Sequence, residues 1–153
     1  MTLRESVLLA LKEKNGEWLS GEALSTSLNV SRSMVWKYIK QLQTEGYKVE
    51  SSSRKGYRLV ACPDILSGDE VCYGLNTEVL GRRDYFYYPR IDSTNKQARV
   101  LASQGYPEGT VVVADMQTEG RGRRGRSWYS PAGQGIYMSL ILRPHIPLKE
   151  ISR

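Results

Sequence analysis

The sequence predicts an α+β protein in which a winged helix-turn-helix precedes a mixed-sheet α/β domain. Three observations predict it. Helical spacing of apolar residues, punctuated by capping residues, fills the first 46 positions. A short alternating stretch, YKVESSSRKGYRLV, follows as a hairpin, and two apolar runs, TVVVADMQ and GIYMSLILRP, lie on either side of a glycine- and arginine-rich segment.

Residues 4 to 15 place Val7, Leu8 and Leu11 on one helical face, and the turn dipeptide Asn15-Gly16 stops the helix. Ser20 is positioned to cap a second, short helix that carries Ala23, Leu24 and Leu28 inward. Asn29-Val30 makes the turn. Ser31 caps a third helix, SRSMVWKYIKQLQTEG, which Gly46 ends because glycine tolerates left-handed backbone angles. Val35, Tyr38 or Ile39, and Leu42 face the other helices, leaving Ser31, Arg32, Ser33, Trp36, Lys37 and Lys40 on a basic, hydroxylated outer face. The two strands meet around Ser51 to Gly56, with Arg54 and Lys55 at the tip. In a winged helix-turn-helix the third helix enters the DNA major groove and the tip cations neutralise phosphates. A three-helix packing module with a solvated basic side is the alternative.

The boundary falls in VACPDIL, where Pro63 interrupts regular structure. The expected organisation is a DNA-binding domain over 1–61, a linker over 62–70, and a second domain over 71–153. Ser67 is placed to cap a short helix, SGDEVCYGL. Beyond it come an aromatic strand, YFYY, a turn from Pro89 to Asp92, and a helix starting near Ser93 or Thr94, either of which can cap it. The runs TVVVADMQ and GIYMSLILRP both read as strands buried on two faces. Tyr85, Tyr87 and Tyr88 read as strand packing, and His145 is assigned no chemistry.

Charge is uneven. Residues 1–61 hold ten Lys/Arg against six Asp/Glu, whereas 62–153 hold twelve against ten, so the first block is the better candidate for a nucleic-acid surface. Cys62 and Cys72 lack the paired spacing of a zinc or redox motif and read as reduced structural thiols, with no metal site among the candidates. The amino-terminal apolar patch is interrupted by Glu and Lys, which argues against a signal peptide, and no stretch is long enough to span a bilayer; the expectation is a cytoplasmic protein without a membrane partner.

The segment GRGRRGRSWYSP, from Gly120 to Pro131, sets four arginines among three glycines. Glycine lets backbone N–H groups approach a ligand, and guanidinium forks fit carboxylate and phosphate. Four unpartnered guanidinium groups repel one another, so Glu119 to Ser127 is expected to be mobile when empty and ordered over an anion. An Arg-Gly tract for RNA, a localisation signal or a solvated loop are the rival readings.

GRGRRGRSWYSP followed by GIYMSLIL, preceded by ADMQ and further upstream by IDSTN, resembles the biotin protein ligases, and the winged helix resembles the bifunctional subgroup that represses the biotin operon. The resemblance implies a ligase that activates biotin with MgATP to biotinoyl-5′-adenylate and transfers biotin to a lysine of the biotin carboxyl carrier protein. It also implies operator DNA as a partner, with a homodimer in the full-length, adenylate-bound form. By the same resemblance Ser93, Thr94, Asn95 and Gln117 contact biotin, while Gly120, Arg121, Gly122 and Arg123 close over the carboxylate and the adenylate phosphate. Arg121 and Arg123 are the catalytic candidates, with Arg123 holding the intermediate. Trp128 packs at the loop's hinge or over the ligand, and Arg124 and Arg126 meet ATP phosphates or solvent. Members of the family continue beyond this point with a lysine-containing segment and a small β-barrel. The second domain is therefore expected as the amino-terminal part of the catalytic domain, with an open pocket and little or no activity alone. Two rivals remain: a stand-alone winged-helix regulator that senses another anionic metabolite without catalysis, and an adenylating enzyme for lipoate.

Overall fold

The structure, a computed structural model, describes residues 2–144; His145 lies outside the described residues. The chain divides into two compact units between Asp64 and Ile65.

In the first unit, α1 (Leu3–Glu13) opens on a reciprocal capping box: Thr2 Oγ1 accepts the Glu5 N–H and the Glu5 carboxylate accepts the Thr2 N–H. Its end is a left-handed pair, Asn15 and Gly16. α2 (Gly21–Ser27) and α3 (Arg32–Thr44) start on Ser20 and Ser31, whose hydroxyls accept the N–H groups of Ala23 and Met34. Gly46, at φ +99°, ends α3, and the Tyr47 N–H returns to the Leu42 carbonyl at 3.1 Å, which satisfies an orphan acceptor of the last turn. Ala23 is exposed rather than inward, because one helical step of about 100° from the buried Leu24 carries it off the apolar stripe.

β1 (Lys48–Ser52) and β2 (Gly56–Ala61) pair antiparallel with Val49 opposite Leu59, and both enter a core with Val7, Leu8, Leu11, Leu24, Val35, Ile39 and Leu42. Each such side chain taken fully out of water contributes about 1.5–3 kcal/mol. Leu19 adds a third lane to the wing: its N–H and carbonyl exchange bonds of 2.8 and 2.9 Å with Tyr57.

The second unit begins with α4 (Gly68–Val71) and a 3₁₀ turn over Cys72–Gly74. Ser67 precedes α4, yet its hydroxyl is buried without a partner and makes no cap bond, contrary to expectation. β3 (Tyr85–Tyr88) and β4 (Val111–Ala114) are parallel, linked through α5 (Thr94–Ser103), and β5 (Tyr137–Leu140) adds antiparallel to β4. β4 is buried at all four residues, as its β-branched run predicts. β5 is not buried on both faces: Met138 is 58% exposed and Ser139 and Leu140 are half-buried, because β5 is the edge of the described sheet. One face of the sheet packs Phe86, Val112 and Ile141 under Ala98 and Leu101 of α5. On the other side, the Tyr85 hydroxyl donates to the Leu66 carbonyl at 2.8 Å and the Cys72 thiol to the Gly81 carbonyl.

Tyr85 and Tyr87 are both pushed up to about 12, by burial first of all, with the Asp115 carboxylate adding to it and accepting the Tyr87 hydroxyl. A phenol whose pKa is raised by folding stabilises the fold below its ordinary value near 10 and loses that contribution as pH climbs to about 12. An alkaline absorbance titration should therefore show Tyr85 and Tyr87 ionising late, and Tyr87→Phe should remove one late-ionising phenol from the curve.

Candidate functional site

The second unit holds a cleft of about 540 Å³ with walls from the start of α5, the residue Gln117 beyond β4, β5 and the arginine loop. Ser93, Thr94, Asn95, Gln117, Arg121, Gly122 and Trp128 all line it. Gly120 is buried just behind the lining. Arg123 sits on a 3₁₀ turn over Arg123–Gly125, exposed and outside the lining. Lys96, Arg99 and Ser139 join the cleft without having been singled out in the sequence.

Neither Ser93 nor Thr94 caps α5 with its own side chain. The Gln117 amide does so from 23 residues away: Oε1 accepts both the Thr94 N–H at 2.9 Å and the Thr94 hydroxyl at 3.1 Å. A one-way chain of hydrogen bonds results. Ser139 Oγ donates to Thr94 Oγ1 at 3.0 Å, Thr94 to Gln117, Gln117 Nε2 to Ser130 Oγ at 3.2 Å, and Ser130 to the Trp128 carbonyl at 3.2 Å. One Nε2 hydrogen of Gln117 and lone pairs of Ser139 are left over at the cleft, with the Ser93 hydroxyl beside them. Neutral donors and acceptors of this kind suit a neutral polar ring, which charged groups would desolvate at greater cost.

The arginine loop is a small hairpin rather than a structureless tract. Arg121 bridges Ser127, the Gly122 N–H bonds the Arg126 carbonyl at 2.8 Å, and Arg124 and Gly125 take φ of +59° and +74° at the tip. Two left-handed central residues are the geometry that matches strand twist in tight hairpins, and glycine at the second supplies it without strain. At the root, the Trp128 N–H bonds the Gly120 carbonyl at 2.8 Å, while its indole stays 62% exposed. Trp128 is thus pinned through its backbone at the hinge, and its ring carbon Cε3 would lie 3.6 Å from a β-carbon on Gly122.

Lys96 ties this root to α5 by pairing with both Asp92 and Glu119. The Ser93 N–H, bonded at 2.6 Å, and then the Lys96 ammonium hold the Asp92 carboxyl below the usual carboxylate range; Glu119 and Asp92 in turn raise Lys96.

In the first unit, a groove of about 480 Å³ runs between α3 and the wing, lined by Glu22, Arg32, Trp36, Arg54 and Tyr57 among others. Arg32, Ser33, Trp36, Lys37 and Lys40 are all exposed, with Trp36 at 56% and Lys40 Nζ 5.9 Å from its ring. The Ser31 hydroxyl is engaged as the cap of α3 and with Ser33. Arg32 pairs with Glu22 at 2.9 Å. Arg54 and Lys55 stand exposed at the wing tip, and Trp18 beneath the wing carries Lys55 at 5.7 Å and Arg58 at 4.9 Å from its ring. Sequence spacing gives no hint of that cation–aromatic cluster, since Trp18 lies in the α1–α2 connection.

Among the described residues no helix is long and apolar enough to cross a membrane. Residues 3–58 match an HTH domain and residues 87–152 match the biotin/lipoate A/B protein ligase family. The chain is 50% identical over 149 residues to the bifunctional ligase/repressor BirA of Bacillus spizizenii, covering 97% of this chain and 46% of that protein. It is 48% identical to the Bacillus subtilis protein of the same name, with the same coverage, and 35% identical over 132 residues to that of Escherichia coli, covering 84% of this chain and 38% of that protein. The chain thus spans about half the length, or less, of the curated relatives it matches. With a helix-turn-helix unit in front and the polar cleft and arginine hairpin behind, the chain joins a segment that matches an HTH domain to one that matches the biotin/lipoate A/B protein ligase family.

Proposed function

We propose that this chain carries the DNA-reading head and the biotin-activating cleft of a bifunctional biotin–protein ligase and biotin-operon repressor. The observation that carries the reading is the meeting, in one cleft, of a neutral hydrogen-bonding cradle (Ser93, Thr94, Gln117) with a cationic hairpin (Arg121, Gly122) and an exposed indole, Trp128.

In this reading the cradle holds the neutral ring of biotin and the hairpin faces its carboxylate. A carboxylate oxygen attacks the α-phosphorus of MgATP, the bond to the β-phosphate breaks, and pyrophosphate leaves with the electron pair; Mg²⁺ arrives with the nucleotide as part of the substrate. Cationic donors fixed before the reaction lower this barrier because they need no reorganisation as charge shifts between phosphates. The amine of a lysine on the biotin carboxyl carrier protein then attacks the acyl carbon, AMP departs, and the amine proton is lost to solvent. Arg123, on the turn beside the cleft, reaches the adenylate only if the hairpin bends inward. Ordering of such loops on the adenylate would favour a homodimer, and a dimer spans two half-sites of an operator.

Incubating the whole protein with biotin, ATP and a carrier domain, then probing with streptavidin, tests the ligase. A labelled carrier is expected; heat of anion binding with no labelled carrier would favour the non-catalytic sensor, and labelling with lipoate in place of biotin would move the substrate. For the reading head, Lys55→Ala should weaken binding about equally on all sequences and reduce the slope of log K against log salt by about 1, as loss of one phosphate contact does. Fluorescence anisotropy across a salt series reads it, and an unchanged slope would remove the wing tip from the interface.

A further inference from the structure

Three cations line the cleft, Lys96, Arg99 and Arg121, and no carboxylate does. They are not equivalent. Lys96 is already neutralised by Asp92 and Glu119. Arg99 and Arg121, by contrast, make no ion pair or side-chain hydrogen bond among the described residues. Arg121 comes from the hairpin. Arg99 comes from the helical wall, five residues beyond Thr94, or roughly 7.5 Å along the axis at 1.5 Å per residue. Helical side chains lean toward the amino terminus, and from that position Arg99 lines the cleft.

A monocarboxylic acid presents one negative charge, and Arg121 alone matches it. A second unpaired guanidinium, in a cleft without any acidic side chain, fits a ligand with several charges. We propose that Arg99 is a substrate-binding residue for the nucleotide, donating to the oxygens of its phosphate chain from the helical wall opposite Arg121; this rests on the ligase reading above. The planar fork suits two phosphate oxygens at once. Arg99 transfers no proton: its donors hold the phosphates in line, and they stabilise the pyrophosphate as it takes up the electron pair of the breaking bond.

Calorimetry on the full chain with inorganic pyrophosphate, and separately with biotin, tests this on wild type, Arg99→Gln and Arg99→Lys. The expected result is about a tenfold loss of pyrophosphate affinity in Arg99→Gln, partial recovery in Arg99→Lys, and unchanged biotin affinity, with an unchanged melting temperature in all three. Unchanged pyrophosphate affinity in Arg99→Gln, or no pyrophosphate binding by wild type, would overturn the assignment. So would loss of biotin affinity alone, which would give Arg99 to the carboxylate. Pyrophosphate bound through Arg99 by a chain that takes no biotin would instead refute the ligase reading and leave the phosphate site standing.

Discussion

Gly120→Ala is expected to abolish most biotin binding while Gly122→Ala, two residues along the same loop, leaves it within a few-fold of wild type. A β-carbon on Gly120 would stand 2.5 Å from the Trp128 carbonyl oxygen, 2.7 Å from Ser130 Oγ and 3.4 Å from Gln117 Nε2. The first of these is backbone held by the bond from the Trp128 N–H to Gly120 itself, so it cannot rotate away. Relief requires the hairpin root to part and Ser130 to swing, which leaves the Gln117 amide without its 3.2 Å acceptor and loosens the group that caps α5. Losing two or three such bonds in a half-buried setting is worth about 2–3 kcal/mol, or roughly 30- to 150-fold in affinity. On Gly122 the nearest atom lies at 3.6 Å, ordinary contact with the Trp128 ring. Calorimetry with biotin and ATP on the whole protein separates the two; equal damage from both variants would mean that general loop rigidity, rather than the Gly120 root, governs the cleft.

The winged helix was legible because its signals are local. Ser20, Ser31 and Gly46 do at the helix ends what their residue types predict, and the exposed face of α3 follows from the burial of Val35, Ile39 and Leu42. The second unit is less legible wherever a distant residue takes over a local role. Ser93 stands at a cap position, yet the cap comes from Gln117, which no sequence window spans. The runs around β4 and β5 carry the same apolar signature, but only position in the sheet decides that β4 is covered on both sides and β5 is an edge. The arginine tract marks a loop for an anion but not its shape: the Arg124-Gly125 pair closes a hairpin, with a non-glycine residue in the left-handed region that Asn or Gly would ordinarily fill. Lys96 and Arg99 carry no functional signal in the sequence, because charges on a helix ordinarily face solvent, and only the fold turns that stripe toward a cleft.

Gly56→Ala should unfold the wing and, with it, the reading head. Gly56 sits at φ +96°, where an L-residue is strained by about 1–2 kcal/mol. The larger effect is steric. An added β-carbon would lie 2.2 Å from the Leu19 carbonyl oxygen and 2.6 Å from Ser20 Cα, both backbone atoms of the lane that pairs with Tyr57. Leu19 cannot retreat without giving up its 2.8 and 2.9 Å bonds to Tyr57, and Ser20 cannot move without disturbing the cap of α2. Strain, two backbone bonds and part of a cap together come to about 4–5 kcal/mol, close to the whole stability of a small domain. Urea unfolding should show the transition of this unit collapsing toward zero denaturant, and operator DNA binding should vanish with it, while pyrophosphate and biotin binding in the second unit persist. A wild-type unfolding midpoint would show that the α1–α2 connection yields freely, and that its pairing with the wing contributes little to holding Arg54 and Lys55 toward DNA.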